Sequence, residues 1–581
     1  MKRTKNFFIA LLGFCLMGSA FVNAEETILS TPDGYLYQEH NGVFVVIGYA
    51  GGETILTFPT INGEKVDVFF DSPSDVQNSS SVVEVDLTNV RLIYTGAFIV
   101  KNSPFGGKSG FLKLQKVKIG VDNSFDEDAF SVSTVTDLSF SSDVEEVTSS
   151  MVAPFKATVT NVDLTGVNSI GASAFAGCTN LTSIEFKEVS TIGASAFANC
   201  TKLTSIELKE VSTIGNYAFS GCSSLTSKKP LDLSSVEEIG EAAFKGTSYL
   251  AVSYSDYMQS FPKEVFAGCN NLSDVYFNAN VSEICEKAFY GCAHLEDFDF
   301  GGIQIIGNQA FATSKLKSTL SFGYELKSVG NEAFSQTNIA STVTFLSSPT
   351  IGTAAFPNKE LVLRIDDATA FKYYSSATFD RVEYTRSAPT NYAAIALPFD
   401  FEKGGNTYYE LTSFDLEGGM HFTEVETPVA NTPYLYQGDD EEIVSSGTYS
   451  PSEDDRLDVA VSTAVEDWEA VCVYKDHSKQ SGAPIVDGYY KWAVQGGSLK
   501  YFNGQMYMKP YRAYWRTSSS HVSQNARVFV HTRDGNVTSI NMAEIDGWEN
   551  MVPVYYDLTG RMVNNPVKGN IYIVNGKKVV F

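Results

Sequence analysis

The sequence predicts a mainly β fold: a repetitive solenoid built around a parallel sheet, then an antiparallel β-sandwich-like domain, then a small C-terminal β segment. A motif recurs about every 22 residues, each recurrence includes a short alternating strand, and the repetition stops before an aromatic, turn-rich second half. With 40 Phe and 30 Tyr residues, and 43% hydrophobic residues overall, the 581-residue chain favours strands and can bury a large core.

The repeat is marked by an Ile-Gly-x-x-Ala-Phe segment. Phe175 and Phe197 are 22 residues apart, and each follows an Ala. This period lies in the range of leucine-rich repeats, in which a unit buries its apolar face only by stacking on its neighbours. The Phe residues that define the series are Phe130, Phe175, Phe197, Phe219, Phe244, Phe266, Phe289, Phe311, Phe334 and Phe356.

Each repeat also contains a triplet in which two mostly apolar residues flank an exposed position. Because side chains alternate along a strand, the outer residues should face the core and the middle one should face solvent. Stacked triplets would form one parallel sheet about 55–60 Å long. The triplets begin at Val85, Val117, Leu138, Val162, Ile184, Ile206, Leu231, Val252, Val275, Phe298, Leu320, Val343 and Leu361.

Five cysteines share one repeat position, three residues after the repeat Phe. They are Cys178, Cys200, Cys222, Cys269 and Cys292. One interpretation is a metal or redox ladder; the other is a small buried hydrophobic residue that fits the turn. We favour the second, because no His or second Cys lies at ligand spacing. The sequence therefore predicts no metal site and no cofactor.

The motif Ile-Gly-x-x-Ala-Phe-x-x-Cys-x-x-Leu-x-x-Ile-x-Leu, seen at residues 192–208, resembles the BspA-type leucine-rich repeat of bacterial surface proteins. Residues 37–68 resemble the β-hairpin segment that often opens such arrays, and residues 370–384 resemble the segment that closes them. Members of this family are mostly exported, and several are implicated in adhesion to host matrix proteins or to other cells. The resemblance implies a surface scaffold whose ligand depends on exposed positions that the family does not fix.

The N-terminus is typical of a secretory signal peptide. Lys2, Arg3 and Lys5 precede an apolar run over residues 7–17, and small residues end at Ala24. We predict cleavage near Ala24 and a mature chain that is secreted or held at the outer cell surface. No later stretch predicts a transmembrane helix. The formal net charge of -26 argues against nucleic acid as a partner and leaves cationic partners open.

These patterns divide the chain into five segments. We predict a signal peptide at 1–24, a capping hairpin segment at 25–80, the leucine-rich-repeat solenoid at 81–385, the β-sandwich-like domain at 390–533 and a C-terminal segment at 536–581. The last segment resembles the small C-terminal sorting domains of exported Bacteroidetes-type proteins. The resemblance implies that this segment directs the chain across or onto the outer membrane.

The middle residues of successive triplets predict a stripe of acidic and aromatic side chains on the strand face. In-register stacking would place neighbouring carboxylates about 4.8 Å apart, and Lys187 and Lys209 would offset a repulsion of roughly 1 kcal/mol per pair. Such a stripe is either a binding surface for a basic partner or a divalent cation, or a solvated face that aids solubility. The candidate binding residues are Asp163, Glu185, Glu207, Asp232, Tyr276 and Asp299.

The aromatic second half offers an alternative surface. Tyr490, Trp492, Tyr514 and Trp515 would form either a sugar-binding platform or the packed core of a sandwich, and we favour packing. No motif predicts catalysis, since neither His-Glu-x-x-His nor Gly-x-Ser-x-Gly occurs. We therefore expect a non-enzymatic binding or adhesion protein. Its expected ligand is a protein, and host matrix proteins are among the candidates. A glycan-binding component acting through the C-terminal domain is the alternative, and a hydrolase hidden there is a third hypothesis.

Overall fold

The computed structural model describes residues 27–540, with gaps, and four short strands between residues 555 and 580. The gaps are 71–74, 95–99, 103–107, 126–128, 131–133, 318, 367–371, 387–391, 415–418, 453–454, 456–457, 464–467, 476, 478–483, 487–488, 496–497, 504–505, 507, 518–526 and 535. The chain divides into two compact units, residues 1–225 and residues 226–581. Both contain coils of a parallel-sheet β-solenoid, about 13 coils in all. The predicted signal peptide lies outside the described residues.

The first unit opens with a β-hairpin. Its turn is Asn41-Gly42, with φ angles of 49° and 80°, which fits the type I′ geometry that matches strand twist. The second hairpin strand then pairs in parallel with the strand Val66–Val68, and each later strand pairs in parallel with the one before it, so the hairpin starts a sheet that the coils extend. The six strands, in spatial order, are Leu29–Ser30, Tyr35–His40, Val43–Tyr49, Val66–Val68, Val90–Ile93 and Ser124–Phe125.

A second sheet of this unit carries the predicted triplets. Val117 pairs with both Val85 and Leu138, and Leu138 pairs with Val162, so the outer apolar residues stack in register as expected. Because these strands are parallel and one turn apart, their middle residues share the outer face. The strands, in spatial order, are Ile55–Thr57, Glu84–Asp86, Lys116–Ile119, Asp137–Phe140 and Asn161–Asp163.

The triplets that follow keep the alternation without ladder pairing. Ile184 and Phe186 are buried and Glu185 is exposed, yet residues 184–186, 206–208 and 298–300 are not strands. The first two of these coils are tied just before the triplet, where the Thr204 N–H donates to the Thr182 carbonyl at 3.1 Å. The prediction of one continuous sheet 55–60 Å long is therefore wrong, because strand pairing is interrupted at these triplets.

Other short elements complete the first unit. A parallel wall of two-residue strands stacks Val147, Ile170, Ile192 and Ile214 in register. Its strands are Glu146–Val147, Ser169–Ile170, Thr191–Ile192 and Thr213–Ile214. The remaining elements are the hairpin strands Val100–Asn102 and Lys108–Gly110, the α-helix Ser149–Val152, and the 3-10 turns Ser79–Ser81 and Ala153–Phe155.

The second unit repeats this coil pattern. Phe322, Phe345, Leu363 and Val382 stack in register on four parallel strands. The strand-face sheets contain Leu231–Asp232, Ala251–Ser253 and Asp274–Tyr276, and then Ser321–Phe322, Thr342–Phe345, Glu360–Asp366 and Arg381–Thr385. The shorter wall strands are Glu238–Ile239, Ser260–Phe261, Glu283–Ile284, Ile305–Ile306, Ser328–Val329 and Thr350–Ile351, beside the pair Ser347–Ser348 and Lys372–Tyr373.

The Ala-Phe segments form another wall of each coil. Phe197 is buried between Phe175 and Phe219, at ring distances of 5.2 and 5.3 Å and interplanar angles of 4°. The N–H of Phe175 donates to the carbonyl of Ala196 in the next coil, at 2.8 Å. Ser195 adopts a left-handed φ of 56°, a conformation that costs a non-glycine residue roughly 1–2 kcal/mol. The ordered ring stack and the inter-coil bonds offset that cost.

The repeat cysteines are buried beneath this wall, and four of them donate their thiol to a carbonyl of the preceding coil. Cys200 Sγ lies 3.1 Å from the Phe175 carbonyl oxygen, and Cys222 Sγ lies 3.0 Å from that of Phe197. The others are Cys269 to Phe244 and Cys292 to Phe266. Thr247 and Thr337, at the same repeat position, donate instead to the Phe carbonyl of their own coil. Ser314 occupies the position in another coil, and its hydroxyl is buried without a hydrogen-bond partner. The position therefore takes a small buried side chain, which agrees with the packing interpretation.

Two further sheets follow the solenoid in the second unit. One has the strand order Ala393–Ile395, Tyr434–Gln437, Thr407–Phe414, Gly419–Val425, Arg527–His531 and Val537–Ile540, with a single parallel pair between the fourth and fifth strands. The other is antiparallel, with the order Val459–Ser462, Trp468–Val473, Arg512–Thr517, Tyr490–Gln495 and Ser498–Asn503. A last sheet contains Met562–Val563, Tyr555–Tyr556, Ile571–Val574 and Lys577–Val580.

A strand from this C-terminal part ends the solenoid sheet. Glu442–Val444 pairs antiparallel with Arg381–Thr385, the last parallel strand. The Ser445 hydroxyl accepts the Val382 N–H at 2.9 Å, and the Arg386 N–H donates to the Glu441 carbonyl at 2.8 Å. These bonds occupy backbone groups that the last coil would otherwise expose.

Candidate ligand-binding surface

In the first unit, the strand face presents polar side chains from successive coils. Asp86, Lys118, Ser139 and Asp163 are in register, and Lys118 Nζ lies 3.1 Å from Asp86 Oδ2. Glu185 and Glu207 occupy the matching position in the next two coils, each two residues after the Ser183–Ser205 bridge. The structure therefore brings Asp163, Glu185 and Glu207 onto one face, as the repeat predicts.

The two glutamates are nearly free in solvent. Their side chains are 77% and 78% exposed, and each pairs with the lysine two residues along its own coil. The Lys187–Glu185 and Lys209–Glu207 distances are 3.2 and 3.0 Å. Exposed pairs of this kind contribute little to stability and are screened by salt. Either carboxylate can therefore exchange its lysine for a cationic group of a ligand.

The aspartates of the stripe have a local structural role that sequence reasoning missed. Asp163 Oδ1 accepts hydrogen bonds from the Thr165 hydroxyl at 2.7 Å and the Thr165 N–H at 3.1 Å, and these bonds lower the pKa of Asp163. In the same way, Asp232 accepts the Ser234 N–H and Asp299 accepts the Gly301 N–H. Each forms an Asx turn that bends the chain after the strand face. The available signal was an Asp followed two residues later by Thr, Ser or Gly.

The second unit exposes one tyrosine on its strand face and another in a turn that follows a strand. Asp232, Ser253 and Tyr276 are in register on three parallel strands, and Tyr276 is 54% exposed. Tyr257, which the sequence analysis did not select, is 67% exposed. Its segment is held against the next coil, because Asn278 Nδ2 donates to Asp256 Oδ1 at 2.7 Å. Exposed tyrosines on rigid elements are frequent anchors in protein interfaces.

The aromatic residues proposed as a sugar platform lie mainly in the core. Trp492, Tyr514 and Trp515 are at most 2% exposed, and Trp492 pairs directly with Trp515 across two antiparallel strands. A buried ring cannot offer its face to a sugar, so these three side chains build the sandwich instead. The side chain of Tyr490 lies outside the described residues.

Burial limits the chemistry of the repeat cysteines. Burial raises the pKa of Cys178 to about 12 and that of Cys269 to about 11, which disfavours the thiolate needed for metal binding or exchange. No cluster of three or more His, Cys, Asp or Glu side chains suited to a metal occurs among the described residues. Nor does any helix described by the structure have the length and apolar character needed to cross a membrane.

Residues 155–250 and 237–362 match the BspA type leucine-rich repeat region, in six copies. The match confirms the prediction from the motif for this part of the chain.

Several solved structures are similar to the chain. One is a leucine-rich repeat protein from Bacteroides ovatus, with 20% identity over 60% of this chain and 95% of that chain, and a TM-score of 0.29. A leucine-rich cell surface protein from Faecalibacterium prausnitzii has 17% identity over 54% and 95%, with a TM-score of 0.24. The pneumococcal vaccine antigen PcpA has 14% identity over 58% and 87%, with a TM-score of 0.27. No curated protein matches the chain.

Proposed function

We propose that this protein is an exported, cell-surface or secreted binding protein that holds a protein ligand, such as a host matrix protein, on the strand face of its repeats. The observation that carries the proposal is that the same repeat position presents exposed side chains in each of the two units. Glu185 and Glu207 in the first unit and Tyr276 in the second are mostly solvent-exposed.

Charge favours a ligand with a basic patch. The chain carries a formal net charge of -26, so its field attracts cationic proteins and repels nucleic acid. Glu185 and Glu207 project from this background with only exposed lysines as partners. The aspartates Asp163, Asp232 and Asp299 keep the turns in place, and the glutamates and tyrosines make the contacts. Binding rather than catalysis is the role that such a surface supports.

Export and anchoring are part of the same proposal. The charged start, the apolar run and the small residues before Glu25 support secretion with cleavage near Ala24. The C-terminal segment after residue 536 would then act as the sorting element that brings the chain to the outer surface. Surface biotinylation of the producing cells, with N-terminal sequencing of the labelled protein, checks both statements.

Binding is tested with the full mature chain on immobilised fibronectin, laminin and collagen. The double variant Glu185→Gln/Glu207→Gln should lower affinity for a bound probe by about tenfold, because it removes two charges from the contact. The matched control is Glu188→Gln/Glu210→Gln, which changes net charge equally at the two turn positions that follow. Tyr276→Ser should weaken binding as well, since an exposed aromatic anchor is lost.

The outcome decides between a ligand surface and a merely soluble face. Affinity that falls in the strand-face variants, and at higher salt, but not in the control, supports the proposal. Failure of the wild-type chain to bind any of the three probes, or equal affinity in all variants, contradicts it.

A further inference from the structure

Two histidines meet on the outer face of the six-stranded C-terminal sheet. His421 lies on strand Gly419–Val425 and His531 on the parallel strand Arg527–His531. His421 Nδ1 and His531 Nε2 are 2.9 Å apart, and both residues are half-buried. The ring of Phe529 stacks on His421 at 4.8 Å, with an interplanar angle of 12°. Pairing and stacking together hold the imidazoles with one nitrogen of each facing the other.

This separation fits two ligands of one metal ion. Imidazole nitrogens bind divalent transition metals at about 2.1 Å, so two ligands at a right angle lie about 3 Å apart. The observed 2.9 Å matches that separation, and a rotation of the rings turns both lone pairs from each other toward one ion beside the N–N line. A tetrahedral ion would need a separation of about 3.4 Å, which a small rotation of one ring supplies.

The surroundings leave room for the rest of the coordination sphere. The face is polar beside the pair: Thr423 is in register with His531 and with Glu410 on the next strand. Thr412 and Thr423 share a hydrogen bond of 2.9 Å between their hydroxyls. Both histidines retain solvent access, so water or a donor from a bound protein can complete the sphere.

We propose that His421 and His531 form a two-ligand site for a divalent transition-metal ion of the Ni²⁺, Cu²⁺ or Zn²⁺ type. The ion displaces the hydrogen bond between the two rings and lies beside the line that joins the facing nitrogens, because two bonds of about 2.1 Å do not fit on a line of 2.9 Å. The protons then lie on Nε2 of His421 and Nδ1 of His531, and the metal binds Nδ1 of the first and Nε2 of the second. Among the described residues, no third side-chain ligand joins the pair, so water or a donor from a bound protein takes the remaining positions. Since 110 residues separate the two histidines, no ligand spacing in the sequence indicates this site.

The test uses the full mature chain without an affinity tag. Titration with Cu²⁺ alone, followed by calorimetry, should give a site that His421→Gln and His531→Gln each weaken by about tenfold or more, since loss of a supporting residue alone costs that much. Electron paramagnetic resonance of bound Cu²⁺ should report two imidazole nitrogens in the wild type and one in each variant. His294→Gln is the control, because His294 bonds the Asn270 carbonyl elsewhere in the same unit.

Each result has a defined meaning. Two imidazole signals that fall to one in both variants, with the control unchanged, support the site. Wild-type binding without two imidazoles, binding that survives both substitutions, or no binding at all would overturn it. Thermal melts of the metal-free variants establish that any loss of binding is not a loss of fold.

Discussion

The solenoid and the C-terminal sheets place residues together by different rules. In the solenoid, a residue contacts the one about 22 positions away, as when the Thr204 N–H donates to the Thr182 carbonyl of the preceding coil. In the C-terminal sheets, His421 meets His531 across 110 residues because two distant strands happen to be neighbours. A repeat converts sequence spacing into spatial contact, whereas a sandwich depends on a topology that spacing does not encode. Substitutions in the solenoid should therefore have effects that a repeat position predicts.

The largest expected effect is on the ring stack. Phe197→Ala should lower the free energy of unfolding by about 3–5 kcal/mol, because it removes a fully buried ring between two others. Guanidine denaturation followed by circular dichroism measures the change. Glu210→Ala, at an exposed position of the same unit, should stay within about 0.5 kcal/mol of the wild type. Equal losses of stability in both variants would contradict the stabilising role assigned to the stack of Phe rings.

The cysteine position should respond to loss of its donor. Cys222→Ala should lower the free energy of unfolding by about 1 kcal/mol, because the Phe197 carbonyl loses the thiol hydrogen bond. Cys222→Ser keeps a small donor and should recover most of that loss. A serine variant as unstable as the alanine variant would assign the position to apolar packing alone.

A contact between coils should make stability depend on pH. The Lys245 ammonium donates a hydrogen bond to the Glu264 carboxylate and lowers the pKa of Glu264. A carboxyl group whose pKa is lowered by folding contributes stability above its ordinary pKa and loses that contribution as the pH falls through the lower folded value. Lys245→Met should therefore reduce the loss of stability between neutral and acidic pH, measured as urea midpoints. Lys202→Met, at an exposed position, is the control; the same flattening in both variants would count against the contact.

The smallest stability effect should come from the proposed binding residues. Glu185→Gln/Glu207→Gln should change the free energy of unfolding by less than about 0.5 kcal/mol, because both ion pairs are solvent-exposed. Calorimetric melting of the double variant checks this. A large loss of stability would mean that the strand face is structural, and any loss of ligand binding would then follow from unfolding.

Much of the solenoid could be predicted, since its alternating triplets and Phe spacing indicate which side chains face the core. The absence of strand pairing at three triplets could not be predicted, because apolar alternation indicates burial and not backbone hydrogen bonding. The role of Asp163 was missed for a different reason: an acidic residue on an exposed face has the same spacing whether it binds a ligand or Thr165. For the candidate surface, the repeat indicated the face, and the Thr, Ser or Gly two residues after each aspartate was the signal that could have separated the turn-forming aspartates from Glu185.

The C-terminal domain was predicted only as a class. Its apolar runs and turns indicate two sheets. They do not indicate which strands are neighbours, and the pairing of Trp492 with Trp515 depends on that order. Tyr257 was overlooked because it lies in a turn after a strand triplet. The neighbouring Asp256 is hydrogen-bonded to Asn278 of the next coil, and the repeat pattern does not indicate this contact.

The antiparallel strand Glu442–Val444 gives the array a fixed terminus. A parallel coil at that end would be a template on which a coil from another molecule could pair, and growth of that kind yields filaments. A strand of opposite direction replaces that template with a three-residue edge, which a parallel coil cannot continue in register. The closing strand thus lowers the tendency of the last coil to seed polymerisation.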